Sequence, residues 1–159
     1  MADSSINVSV LILTKNERAD LPGCLRSIAW CDDVHVYDSG STDDTVEIAQ
    51  SMGAHVTQRT YANVDAPFGG DESAHRNWGL RHIPFKHEWV LTLDADERST
   101  DGLVKALRKL SQHRNDCVAY RILRKDYFLG TWIRHVTVTP YHVRVFKPAF
   151  VSYERVINP

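Results

Sequence analysis

At 159 residues the chain has the length of one domain, and 43% hydrophobic against 25% charged residues is the balance of a protein with a sizeable buried core. A net charge of -1 gives no general basic field, so nucleic acid is excluded as an expected partner. No apolar run approaches the roughly 20 residues of a membrane helix, and the first residues, Met1 to Ser5, lack the basic and apolar regions of a secretory leader.

Three cysteines, Cys24, Cys31 and Cys117, are odd in number and lack C-x-x-C spacing, so they read as reduced thiols. The expectation is a cytoplasmic protein, with contact at the inner face of a membrane left open.

Val8 to Thr14 is β-branched and apolar and reads as a first buried strand, followed by the polar cluster Thr14-Lys15-Asn16-Glu17-Arg18. Asp20-Leu21-Pro22 opens a helix whose apolar face is Leu21, Leu25 and Ile28. Val34 to Asp38 is a second strand. Asp38-Ser39-Gly40-Ser41-Thr42-Asp43-Asp44-Thr45 is a strand-to-helix turn, with Ser41 or Thr42 as the expected cap. The next helix has Val46, Ala49 and Met52 as its expected inner face and Gly53 at its end. Ala54 to Gln58 is a short strand, residues 61–70 a loop, and Glu72 to His82 a helix.

Trp89 to Arg98 reads as a buried strand ending in Asp94 and Asp96. On a strand, positions i and i+2 share a face, so the two carboxylates are expected side by side. Such a pair repels unless a cation joins it, which suggests an oxygen-ligand site for Mg2+ or Mn2+ with a phosphate-bearing substrate. Leu103, Leu107 and Leu110 mark a helix capped near Thr100-Asp101. Residues 117–123 and 136–146 read as strands, the second interrupted by Pro140. Between them lies a mixed segment with Tyr127, Phe128, Trp132 and several cations, which fits an acceptor surface or plain packing equally well.

Strands alternating with helices up to about residue 110 predict an α/β fold with a mainly parallel sheet flanked by helices. The later strands lack intervening helices, so some antiparallel pairing is expected there. Three clusters, Thr14 to Glu17, Asp38 to Ser41 and Asp94 to Glu97, fall at strand carboxyl ends, where open α/β sheets bind ligands. The histidines show no metal-ligand spacing, and a core or surface role is expected for each.

The series Val10-Leu11-Ile12-Leu13-Thr14-Lys15-Asn16-Glu17, Val36-Tyr37-Asp38-Ser39-Gly40-Ser41-Thr42-Asp43-Asp44-Thr45, Ser73-Ala74-His75-Arg76-Asn77-Trp78-Gly79-Leu80 and Leu93-Asp94-Ala95-Asp96-Glu97 resembles the family 2 glycosyltransferases of GT-A fold. Within them it is most similar to bacterial glucosyltransferases of the lipopolysaccharide inner core. The resemblance spans roughly residues 6–155 and implies one Rossmann-like glycosyltransferase domain over residues 1–159, truncated at its C-terminus.

It implies inverting transfer from a nucleoside diphosphate-sugar, a UDP-sugar first among them, to a saccharide or glycolipid acceptor. By the matching motifs Thr14, Asn16 and Glu17 would line the nucleotide pocket and Asp38 would bind the base or ribose. Arg76 would sit near the base or diphosphate, Asp94 would reach the ribose or donor sugar, and Asp96 would ligate Mg2+ or Mn2+.

Inversion needs a general base. The resemblance places an acid about where this chain has Asn158-Pro159. Glu154 serves instead, or the base lies past the last residue, or the chain is a non-catalytic nucleotide-sugar binding fragment. A phosphatase-type D-x-D would follow the first strand, which here ends in Thr14-Lys15-Asn16, and dinucleotide binding lacks its G-x-G-x-x-G.

Overall fold

The protein is described from a computed structural model, covering residues 5–63, 65–112, 116–134 and 140–155. Its first strand, β1 (Val8–Thr14), is buried along its whole length. Alternate side chains serve opposite faces: Val8, Val10 and Ile12 enter one apolar cluster, Leu11 and Leu13 the other. This is why the run is continuously apolar rather than alternating.

Helices α1 (Leu21–Ser27) and α2 (Thr45–Ser51) cover the first face together with α4 (Asp101–Gln112), through Leu21, Cys24, Leu25, Ala49 and Leu107. Helix α3 (Glu72–His82) covers the second through Leu80, followed by Ile83. Strands β2 (Val34–Asp38), β3 (His55–Gln58) and β4 (Trp89–Asp94) run parallel to β1, and β5 (Ala119–Leu123) and β8 (Tyr141–Phe146) complete a sheet of order β3-β2-β1-β4-β8-β5. β8 is antiparallel to both neighbours, so the expected mixture of parallel and antiparallel pairing is present.

The order reverses at β1, which has β2 on one side and β4 on the other. That reversal is the switch point at which loops after adjacent strands diverge to opposite faces and leave a crevice between them. The register aligns the three polar strand ends: Thr14 pairs with Asp38, and Leu13 with Asp94.

Four local expectations differ from the structure. Ser41 and Thr42 do not cap α2; the capping position is Asp44, because the Ser41 hydroxyl is drawn to Asp38. Met52 is 40% exposed, since α2 ends one residue before it and its inner face is Thr45 and Ala49. The mixed segment forms a small hairpin of β6 (Asp126–Phe128) and β7 (Thr131–Ile133). Finally β4 ends at Asp94, and Asp96 lies in the turn closed by the Glu97 amide on the Asp94 carbonyl at 2.9 Å. The strand-face argument therefore does not relate Asp94 to Asp96. Residues 136–139 and the expected site at Asn158-Pro159 lie outside the described residues.

Candidate functional site

The loop after β1 and the turn after β2 are bound to each other. Asp38 is fully buried, and its Oδ1 accepts from the amides of Gly40 and Ser41, each at 2.9 Å. Its Oδ2 accepts from the hydroxyls of Thr14, at 2.9 Å, and Ser41. Gln58 Nε2 adds a long contact to Oδ1 at 3.5 Å, so the roughly four lone-pair sites of the carboxylate are all taken by protein donors. The turn needs Gly40 at φ +87, where a side chain would be strained. Lys15 Nζ donates to the Gly40 carbonyl at 2.7 Å, and Asn16 Oδ1 accepts from the Thr42 amide at 2.8 Å. Asn16 itself stands at φ 59, a left-handed conformation that asparagine tolerates better than most residues. The Glu17 amide donates to Thr45 Oγ1 at 2.8 Å, so the loop sits on the start of α2.

Across the switch point lies the end of β4. Asp94 Oδ2 accepts from Arg144 Nη2 at 2.9 Å and its Oδ1 from Arg76 Nη2 at 3.5 Å. Arg144 Nη2 also donates to Glu97 Oε1 at 2.8 Å, and Glu97 Oε2 accepts from the Asp94 amide at 3.0 Å. Burial pushes the Asp94 carboxyl up, but the Arg144 hydrogen bond and the charges of Arg144 and Arg76 outweigh it and hold it below its ordinary value. Glu97 is raised, chiefly by burial. Asp96 is exposed and has no hydrogen bond or ion pair with another side chain among the described residues.

Arg76 comes from α3, where it also pairs with Glu72 one turn earlier at 2.7 Å. Its guanidinium lies 5.4 Å from the centroid of the Tyr153 ring. The segment carrying Tyr153 is pinned by Asn77, whose side-chain amide exchanges two hydrogen bonds of 2.8 Å with the Tyr153 backbone. Glu154 follows. Its backbone carbonyl accepts from Ser73 Oγ at 3.1 Å, and the residue is exposed beside the first turn of α3.

All the residues singled out in the sequence thus gather at one edge of the sheet, in three relations to solvent. Thr14 and Asp38 are buried and hold the turn. Asp94 and Arg76 pair with each other. Asn16, Asp96 and Glu154 are exposed, and Glu17 is half-buried. Three contributors were not singled out, Arg144, Asn77 and Tyr153. The available signal for Arg144 was a cation inside the apolar strand Val143 to Phe146, which demands a partner. Asn77 offered none, since its partner is backbone.

The site's fit to a divalent cation can be judged from its charges. Glu17 is raised by burial first and then by Asp20, Asp96, Asp43 and Asp94 around it. Of these acids Asp20 has Arg98 beside it, Asp43 has Arg18, and Asp94 has Arg76 and Arg144, which leaves Asp96 as the member without an ion pair among the described residues. Among the described residues no three ligating side chains converge on one point. Mg2+ commonly takes only one or two carboxylates and completes its shell with phosphate oxygens and water, so a single uncommitted carboxylate at Asp96 fits that mode.

The sequence profile described as glycosyl transferase family 2 matches residues 9–156. This chain belongs to glycosyl transferase family 2. A glycosyltransferase of Rickettsia bellii is 30% identical over 95% of this family 2 chain and 49% of its own length. The lipopolysaccharide core biosynthesis glycosyltransferase LpsC of Rhizobium meliloti is 28% identical over 77% of the chain and 44% of its own length. The chain spans about half the length of the curated relatives it matches. Among solved structures, S. aureus TarS superimposes with a TM-score of 0.59 at 21% identity, over 89% of this chain and 28% of TarS, a likeness of fold. The GT-A-like α/β architecture expected from the motifs is therefore the architecture found.

Proposed function

We propose that this family 2 domain binds a nucleoside diphosphate-sugar, a UDP-sugar first, in the crevice between the ends of β1 and β4. It transfers the sugar with inversion to a saccharide or glycolipid acceptor. The observation that carries this reading is the division of labour at the β4 end. Asp94 is tied to Arg76 and Arg144, whereas Asp96, two residues on, is left open to solvent.

The nucleotide side of the crevice is the loop Thr14 to Glu17 laid against the Asp38 turn. In this reading Asn16 and Glu17 face the base and ribose, while Asp38 and Thr14 act by holding the turn's shape. Arg76 can exchange its long contact to Asp94 for a diphosphate oxygen at little cost. Asp94 then keeps Arg144 and is positioned toward the donor sugar.

Asp96 would hold Mg2+ or Mn2+, which supplies charge neutralisation for the leaving diphosphate. The acceptor hydroxyl must lose a proton as it attacks the anomeric carbon, and Glu154, an exposed carboxylate on the segment beside the first turn of α3, would take it. A lipopolysaccharide-core acceptor is the finer possibility suggested by the Rhizobium meliloti relative's name.

The test is thermal unfolding with UDP and UDP-sugars, with and without Mn2+. At about one hundred times Kd a single site gives ~2.7 kcal/mol, or roughly 5–10 °C in a domain of this size. Stabilisation that requires both nucleotide and metal and disappears in Asp96→Ala supports the proposal. A folded chain that responds to no nucleotide sinks it. For Glu154, the Glu154→Gln variant of a catalytically competent form should lose about 100-fold or more in kcat with donor KM little changed. Unchanged turnover assigns the proton to another group.

A further inference from the structure

The β6–β7 hairpin breaks the rules its own local structure sets. Phe128 pairs with Thr131, so the connection is the two-residue loop Leu129-Gly130. Both loop residues have positive φ, 48 and 77. A hairpin turn of that shape favours Asn-Gly or Asp-Gly, because left-handed backbone costs an ordinary L-residue about 1–2 kcal/mol. Here the first position is leucine, and it is 89% exposed.

Beside it Tyr127 and Phe128 are 62% and 65% exposed. The strained turn thus holds an apolar side chain out into solvent, where neither propensity nor packing rewards it. Departures of this kind from local rules concentrate at functional sites.

The charges around the tip say what it meets. Residues 121–134 carry four cations, Arg121, Arg124, Lys125 and Arg134, and one acid, Asp126, in a chain whose net charge is -1. Lys125 and Arg134 lie 4.7 and 4.8 Å from the centroid of the Trp132 ring, at the base of the hairpin. Apolar and aromatic tip, tryptophan girdle and basic base form the sequence of layers that suits a bilayer interface with anionic headgroups. β5 runs parallel to β4 through their shared antiparallel neighbour β8, and the hairpin follows β5 directly. It therefore leaves the sheet at the edge where the candidate crevice opens.

We infer that the β6–β7 hairpin is a membrane-surface anchor, seating Phe128 and Leu129 in the headgroup–acyl boundary of an anionic bilayer with Lys125 and Arg134 on its phosphates. The anchor would hold the crevice next to that surface. Its binding is independent of sugar transfer.

The test is co-sedimentation of the chain with phosphatidylglycerol-containing vesicles and with pure phosphatidylcholine vesicles. Binding is expected to the first, to weaken with salt, and to fall about fivefold on neutralising Lys125 or Arg134. Leu129→Asn suits the turn better and should keep or raise the melting temperature. It should nevertheless cut vesicle binding by about tenfold. Three results overturn the inference: no vesicle binding by the wild-type chain, equal binding by Leu129→Asn, or a tip-dependent dimer in sedimentation velocity without vesicle binding.

Discussion

A single nitrogen of Arg144 holds two acids, 2.9 Å from Asp94 and 2.8 Å from Glu97. Asp94 and Glu97 repel each other, and a half-buried guanidinium between them converts that repulsion into a scaffold. Arg144→Leu should therefore cost about 1–3 kcal/mol in denaturant unfolding, the upper part of the buried-pair range being discounted because Asp94 is partly exposed. Asp96 is the contrasting case. Among the described residues it has no hydrogen bond or ion pair with another side chain, so Asp96→Ala should shift stability by no more than about 0.5 kcal/mol while abolishing metal-dependent nucleotide stabilisation. A large stability loss in Asp96→Ala would mean that its carboxylate has a structural partner.

Helix α3 is the element on which the site depends, because it carries both Arg76 and Asn77. It packs closely over β2. A Cβ at Gly79 would stand 2.9 Å from the Tyr37 ring, which is itself stacked on His75 at 3.9 Å and cannot yield. Alanine at an exposed helix position gains about 1 kcal/mol over glycine. Here overpacking of about 1–3 kcal/mol should win, so Gly79→Ala lowers the denaturation midpoint, and nucleotide affinity should fall with it as Arg76 shifts. A stabilised Gly79→Ala would show that α3 slides freely over the sheet.

At the scale of the whole molecule, buried titratable groups tie stability to pH. His75 is fully buried against Tyr37 and its Nδ1 meets the Tyr61 hydroxyl at 2.6 Å. Burial first, and then Arg59 and Arg76, push its pKa from 6.5 down to about 4. The unfolded chain thus takes up this proton before the folded one. The contribution is complete above about pH 6.5 and is lost as pH falls towards 4, by roughly 3 kcal/mol. His35, lowered chiefly by burial, acts in the same direction.

Below pH 4 the depressed Asp94 and Asp32, the latter held at about 2 by hydrogen bonds from Lys86 and His87, extend the decline. Unfolding free energies at pH 7 and pH 4.5 should differ measurably, and His75→Phe, which keeps a stacked ring, should flatten that difference. An unchanged slope would exclude His75 as its source.

The order of strands and helices, the two-faced burial of β1 and the polar strand ends were legible because each is local: periodicity, propensity and turn chemistry act over a few neighbouring residues. The gathering of Thr14, Asp38 and Asp94 at one edge followed too, since parallel strands place their carboxyl ends together. The roles within that edge were set by long-range contact. Asp38 is spent on its own turn, Asp94 is held by an arginine fifty residues away, and Asp96 is left open because the strand stops two residues before it. Carboxylates look alike in a sequence. What distinguishes them is which donors the tertiary structure brings within hydrogen-bonding distance, and only the packed sheet decides that.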